Sequence, residues 1–330
     1  MQNKLGFFSL CRRLLLAALG VIGGCREDAS SALRVGISPW PGYETLYVAQ
    51  EMGFYREVGV EVRLVEFSSP MDTRRAYERG QIDVFAATVV EVLEARDRSE
   101  RVPEIVQVID YSDGADIILA RPGFTPSTDL RGARVGLELP SVGVYMLARS
   151  LERQGLTLTD VERVSMDQSS LEASFRAGEL DAVVTYPPTS IRLLRDTPAT
   201  PVFSSAEIPH EIVDVIAVDA AVARRRADEV SALLDGFHRA VAFMREDPTR
   251  AAVIAARREG ITAAELEDSL QHGLAFVLPG EQAEYFAPAG PLSRVIDQCD
   301  RVLRQSHQIV GRRQRQEILN PAFLSAGITR

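Results

Sequence analysis

Tyr77-Glu78-Arg79-Gly80-Gln81-Ile82-Asp83-Val84 returns 98 residues later as Phe175-Arg176-Ala177-Gly178-Glu179-Leu180-Asp181-Ala182. In both copies a helical segment stops at glycine, and an acidic residue precedes an apolar run. Upstream, Arg34-Val35-Gly36-Ile37 returns as Arg134-Val135-Gly136-Leu137, at an offset of 100. Two matched spacings in one chain mark a duplicated unit. Around the first copy, residues 33–37 form a short β-branched run, and 43–52 has helical spacing that stops at Gly53. Residues 60–67 alternate apolar and polar as a strand does, 71–79 is helical, and 82–87 is a buried strand. Strands alternating with helices of this length predict βαβ units and a mainly parallel sheet, an α/β fold of two lobes.

The copies are joined by two apolar runs, 105–110 and 115–121, with Tyr111-Ser112-Asp113-Gly114 between them. Beyond the second copy, 212–218 is another apolar strand, and 220–259 is helical with a break near Asp247-Pro248. The chain is therefore expected to cross to the second lobe near residue 118 and return near 215. That gives 33–117 for the first part of lobe one, 118–215 for lobe two, and 216–330 for the completion of lobe one. Two crossing strands would act as a hinge.

The N-terminal region sets the compartment. Residues 1–13 carry Lys4, Arg12 and Arg13 and no acid, and 14–23 is a short apolar stretch. Ten helical residues reach only ~15 Å, about half a bilayer core, so the stretch reads as a secretory signal over 1–24. It ends in Ile22-Gly23-Gly24-Cys25, which resembles a bacterial lipobox, with Cys25 as the lipidated residue and 25–32 as a tether. The chain then sits on the extracytoplasmic side of a bacterial membrane, held by its lipid. Cys299 is the one thiol left in the body, so no disulfide framework is expected.

Of the 37 basic residues, Lys4 is the only lysine. Loss of 1–24 removes three positive charges from a net charge of −9. An acidic body argues against nucleic acid and against an electrostatically held membrane surface.

In open α/β sheets, ligands sit beyond the carboxyl ends of the strands, so the strand-end loops define the cleft. Trp40, flanked by two prolines, is placed to stack on a ligand, with Tyr43 and Tyr186 as amphipathic partners. Ser141 and Gly143 open a helix whose free N–H groups favour an anionic group, although serine is also an ordinary N-cap. Ser69 is comparable, and Thr88 ends a strand. Glu44, Asp113 and Asp214 are carboxylates at the cleft edge that would favour an amine. The chain offers no nucleotide loop, nucleophile elbow or metal-ligand spacing among its four histidines, so no catalytic residue, cofactor or metal is expected.

Trp40-Pro41-Gly42-Tyr43, Ala49-Gln50-Glu51-Met52-Gly53-Phe54-Tyr55, Gly80-Gln81-Ile82-Asp83 and Asp110-Tyr111-Ser112-Asp113-Gly114-Ala115-Asp116 are similar to segments of the nitrate/sulfonate/taurine-type solute-binding proteins of ABC importers. The run from Gly178 to Pro188 resembles the second-lobe strand and turn of that family, with Tyr186 where many relatives have tryptophan. The resemblance spans residues 33–323. It implies the type II periplasmic binding protein fold, two lobes closing on a small molecule, and a permease and ATPase complex as partner, with the chain a monomer. Relatives of this type bind nitrate, sulfonates, taurine or pyrimidine precursors of thiamine. The strand-end loops hold no lysine or arginine, which disfavours a simple oxyanion and fits a zwitterionic or amine-bearing molecule. A ligand-sensing lipoprotein and an enzyme on the same fold are the competing readings.

Overall fold

The computed structural model describes residues 32–125, 130–311 and 318–324. The expected signal segment, Cys25 and all of the tether but Ala32 lie outside the described residues. The first lobe opens with β1 (Leu33–Ile37), α1 (Glu44–Glu51), β2 (Val62–Glu66), α2 (Pro70–Glu78), β3 (Val84–Thr88), α3 (Val89–Arg98) and β4 (Pro103–Ser112). The second lobe follows with β5 (Ile117–Ala120), β6 (Arg134–Leu137), α4 (Val142–Arg153), β7 (Glu162–Ser165), α5 (Gln168–Arg176), β8 (Ala182–Thr185), α6 (Thr189–Asp196) and β9 (Thr200–Ser204). The chain then returns through β10 (Val213–Asp219), α7 (Ala220–Arg225), α8 (Ala227–Glu246), α9 (Pro248–Glu259), α10 (Ala263–His272), β11 (Leu274–Phe276) and α11 (Pro291–Gln305).

One sheet is ordered β11-β4-β10-β3-β1-β2 and the other β7-β6-β8-β5-β9. This is the two-lobed α/β architecture expected from the repeat, and matched residues do matched work in each copy. The Asp83 carboxylate accepts the Arg34 N–H at 3.2 Å and pairs with its guanidinium at 2.6 Å. The Asp181 carboxylate accepts the Arg134 N–H at 2.8 Å. The acid ahead of each strand thus satisfies a backbone donor at the start of its neighbour. Gly80 and Gly178 both end their helices at positive φ, 72° and 76°.

The sheets are mixed rather than mainly parallel. β1 pairs in parallel with β2 and β3, and β6 with β7 and β8. β10, however, runs antiparallel to β3 and β4, and β5 antiparallel to β8 and β9. A chain that leaves one lobe and comes back must run its crossing strands in opposite directions. The crossings themselves are 113–116 and 205–212, short of the expected 118 and 215, because Val213 and Asp214 already pair with Tyr111 and Asp110 in the first sheet. The Ser112 and Ser205 hydroxyls, both buried, meet at 2.8 Å and tie the two crossings together.

α11 buries Leu292, Val295, Ile296, Cys299, Val302 and Leu303 and packs on both α3 of the first lobe and α4 of the second. Cys299 is 1% exposed, a core thiol. The lobes therefore share an apolar seam on one flank as well as a cleft.

Gly36 and Gly136 are tightly packed at the same place in the two copies. An added Cβ would lie 2.3 Å from the Ile82 side chain at Gly36, and 2.5 Å from Leu171 and 2.6 Å from Leu180 at Gly136. Replacing a strand glycine ordinarily stabilises a sheet by some tenths of a kcal/mol. Here Gly136→Ala and Gly36→Ala are expected each to lower stability by about 1–3 kcal/mol through overpacking. Urea unfolding of each variant measures this, and an unchanged or raised midpoint would contradict the close approach.

Candidate functional site

The loop after β1 is held rigidly from below. The Trp40 N–H donates to Glu259 at 3.2 Å, and Arg258 pairs with both Glu259 and Glu44. The Trp40 indole N–H donates to the Asp110 carboxylate at 3.2 Å. Gly42 lies against the same carboxylate, whose Oδ2 sits 1.8 Å from where a Cβ would be, so only glycine lets the acid approach the loop. Tyr43 occupies the N-cap position of α1, and its hydroxyl donates to Asp214 Oδ1. Asp214 and Asp110 stand directly opposite one another on β10 and β4. Thr88, at the end of β3, caps α3 by accepting the Val90 N–H at 3.1 Å.

The second lobe brings Tyr186 against this group. Its ring meets Trp40 edge-on, with centroids 6.5 Å apart, and its hydroxyl donates to Glu138 at 2.9 Å. The Gln168 amide N–H donates to the same Glu138 oxygen, Oε2, at 3.3 Å. Pro39, Trp40, Tyr43, Pro70, Thr88, Asp116, Val142, Tyr186 and Asp214 together enclose a cavity of about 20 Å³. That holds roughly one water, whereas pockets for organic ligands measure about 300–1,000 Å³. The lobes are closed on each other. Two larger hollows share no residue with this cavity: one of about 410 Å³ lies against α4 and α11, and one of about 710 Å³ is lined by Tyr111 of β4, His210 and Glu211 of the second crossing, and α11.

The electrostatics are one-sided. Burial pushes Asp110, Asp116 and Glu138 each up to about 7. Asp214 is raised well above the usual carboxylate range, first by burial and then by repulsion from Asp110. Hydrogen bonds from Trp40 and Tyr43 only partly offset this. Like charges facing each other across a ladder repel, so the Asp110–Asp214 pair titrates as a unit. Asp214 Oδ2 and Glu138 Oε1 are buried acceptors with no hydrogen-bond partner. No arginine or histidine is among the residues enclosing the cavity. Among the described residues no group of histidine, cysteine and carboxylate side chains is arranged to hold a metal.

Of the residues expected at the cleft, the structure brings Trp40, Tyr43, Thr88, Tyr186 and Asp214 together. The others do not line the cavity. Glu44 is fully buried in its ion pair with Arg258, supporting the Trp40 loop from behind. Ser69 caps α2, accepting the Asp72 N–H at 3.1 Å. Asp113 is exposed, and Asp116, three residues on, takes the place by the cavity. Ser141 faces between the lobes, but its hydroxyl donates to Glu91 of the first lobe at 2.9 Å. Gly143 packs on the Glu138 backbone, outside the cavity wall. Asp110, Asp116, Glu138 and Glu91 were missed. An acid at the end of one apolar run and another inside the next were the available signal for the first two.

A family described as "NMT1/THI5 like" matches residues 40–251. Among curated proteins, a formylaminopyrimidine-binding protein from Halalkalibacterium halodurans is 28% identical over 183 residues, 52% of this chain and 54% of its own. A 4-amino-5-hydroxymethyl-2-methylpyrimidine phosphate synthase from Aspergillus parasiticus is 26% identical over 143 residues, 43% of this chain and 41% of its own. The chain thus spans about half the length of these relatives. Among solved structures, the alkanesulfonate-binding protein SsuA of Xanthomonas axonopodis pv. citri, bound to MOPS, superposes with a TM-score of 0.74 at 19% identity. It covers 88% of this chain and 99% of its own, which establishes the periplasmic binding protein fold.

The raised carboxyls have a pH signature. A carboxyl with a raised folded pKa stabilises the closed fold below its unfolded value near 4, and that contribution is lost as pH rises through about 7. Surface acids held low, such as Asp167 at about 2, act in the opposite sense and only in the acid range below about pH 4. The melting temperature is therefore expected to fall between about pH 5 and pH 8, and Asp214→Asn to flatten that slope and raise the value at the upper end. Differential scanning calorimetry reads both. A melting temperature that climbs with pH over this window would rule out the buried-acid account.

Proposed function

The chain belongs to the NMT1/THI5-like family, and from that premise we propose that it is the solute-binding component of an ABC importer, capturing a small amine-bearing organic molecule outside the cytoplasm. The observation that carries this is the wall between the lobes: Trp40, Tyr43 and Tyr186 set among Asp110, Asp116, Glu138 and Asp214, without a basic side chain. Once ionised these acids are acceptors only, so the complement that takes the place of their protons is a ligand rich in N–H donors or positively charged. Aromatic rings beside them supply apolar contact and, for a cation, attraction to the ring faces. A protonated or amino-substituted ring satisfies both demands, in keeping with the pyrimidine named for the Halalkalibacterium relative.

Uptake follows from closure. A ligand that touches both lobes binds the closed state more tightly than the open one and shifts the population toward it, and the closed form docks on the permease. Reading the cleft as a binding site, not a catalytic one, is supported by the histidines. His238 bonds Gln107, His210 stacks on Tyr111, and neither lines the cavity. Cys25 is proposed as the lipidated anchor, on the lipobox-like run before it.

Two measurements test this. A thermal-shift screen should include aminopyrimidines, polyamines, amino acids, sulfonates and simple oxyanions. A true ligand at 100 times its dissociation constant adds ~2.7 kcal/mol, a rise of about 5–10 °C. Amine-bearing compounds are expected to give that rise, more strongly at pH 8 than at pH 5, because the cation replaces protons on the acids. A rise from oxyanions alone would overturn the ligand class, and consumption of the bound compound would point to an enzyme. Separately, Cys25→Ser is expected to move the chain from the membrane to the soluble fraction on cell fractionation. A distribution unchanged by that substitution would exclude the lipid anchor.

A further inference from the structure

We propose that Glu91 decides which charge the cleft accepts. It is a carboxylate built into the first lobe that fills the anion seat at the head of α4, excluding oxyanion ligands and latching the lobes shut. This rests on reading the space between the lobes as the ligand site.

Glu91 stands in the first turn of α3 and is fully buried. Its Oε1 accepts the Ser141 hydroxyl at 2.9 Å and the Val142 N–H at 2.8 Å, both from the second lobe. Its Oε2 accepts the Thr88 hydroxyl at 2.5 Å within its own lobe. Ser141, although in the N-cap position, makes no side-chain bond to its own helix. Its hydroxyl is spent on Glu91.

The free N–H groups at a helix start attract negative charge, and the twelve-residue α4 presents them toward the first lobe. A carboxylate supplied by the protein meets that demand without a ligand. It also raises the cost of bringing in a second anion, because its charge acts on Tyr43, Asp116, Glu138, Tyr186 and Asp214 around the cavity. A sulfonate entering here would find the helix head already occupied and four further acids nearby. A cation would find the reverse. Because Glu91 and its two donors, Ser141 and Val142, belong to different lobes, these bonds exist only when the lobes are shut. One residue thereby links specificity to closure.

Trp40, the chain's only tryptophan, supplies the readout. It is 5% exposed and touches Tyr186 across the lobe boundary, so its emission reports opening. The full-length chain in detergent is titrated with methanesulfonate, as wild type, Glu91→Ala and Glu91→Gln. Wild type is expected to give no saturable response. Glu91→Ala is expected to shift Trp40 emission to the red and increase acrylamide quenching. Methanesulfonate should then reverse both saturably, with a dissociation constant at least tenfold below any wild-type response. Glu91→Gln keeps the shape without the charge and should bind methanesulfonate more weakly than Glu91→Ala but better than wild type. If Glu91→Ala does not fold, the Gln variant decides alone. Equal methanesulfonate responses in wild type and variants overturn the proposal, as does a Trp40 in Glu91→Ala as shielded as in wild type. Wild type that binds amines while neither variant gains methanesulfonate overturns the role of Glu91 alone. A variant that gains methanesulfonate while wild type binds no amine overturns the ligand class and leaves Glu91 standing.

Discussion

Carboxylates buried between two protein lobes must be satisfied or neutralised, and the architecture around the cleft is arranged to do so. Asp110 and Asp214 face each other across β4 and β10 with essentially no exposure. Two ionised acids so placed are costly, because the low-dielectric interior strengthens repulsion and weakens solvation together. The chain answers with donors drawn from aromatic tips: the Trp40 indole N–H, the Tyr43 hydroxyl and, for Glu138, the Tyr186 hydroxyl. Each ring is oriented by the acid it serves. The ion-paired group of Glu44, Arg258 and Glu259 fixes the Trp40 loop from behind, so a largely buried charge network joining α1 and α9 sets the geometry of the cleft.

The same constraint sets the balance between open and shut. Closure buries acids, which opposes it, and joins Glu91 to α4 and Trp40 to Tyr186, which favours it. α11 packs on both lobes and contributes apolar contact to the shut form without touching the cavity. The Ser112–Ser205 pair keeps the crossings aligned. On the proposed reading, a cation between the lobes offsets the buried charge in the closed state and does little in the open one. That difference is the only quantity by which a ligand can drive closure.

The fold was legible because the duplicated unit carries its own local physics. Gly36 and Gly136 permit close packing, Asp83 and Asp181 satisfy a neighbouring strand, and Gly80 and Gly178 end helices. All of these act over short sequence distance or repeat at fixed spacing. The site was legible only where a residue type is conspicuous by itself, as Trp40 and Tyr186 are. Asp110 read as the end of an apolar strand, since its significance lies in facing Asp214 more than a hundred residues away. Glu91 read as one more acid in a helix, because nothing local indicates that another lobe's helix will lie against it. Trp40 was expected as a stacking plate, and its indole N–H turns out to serve an acid as well. Pairing across lobes is a property of the tertiary fold, which periodicity does not encode.

The likeness to a sulfonate-binding protein and the charge of this cleft point in opposite directions, and the cleft carries more weight. A shared fold at 19% identity speaks to architecture and not to the ligand. The scaffold offers a helix head facing the cleft, which suits an anionic ligand when nothing else occupies it. Here Glu91 occupies it, and the remaining wall is built from acids and aromatic rings. On the proposed reading, one glutamate on α3 converts a feature that welcomes anions into part of the protein's own closure. The scaffold is then free to take ligands of the opposite charge without altering a strand.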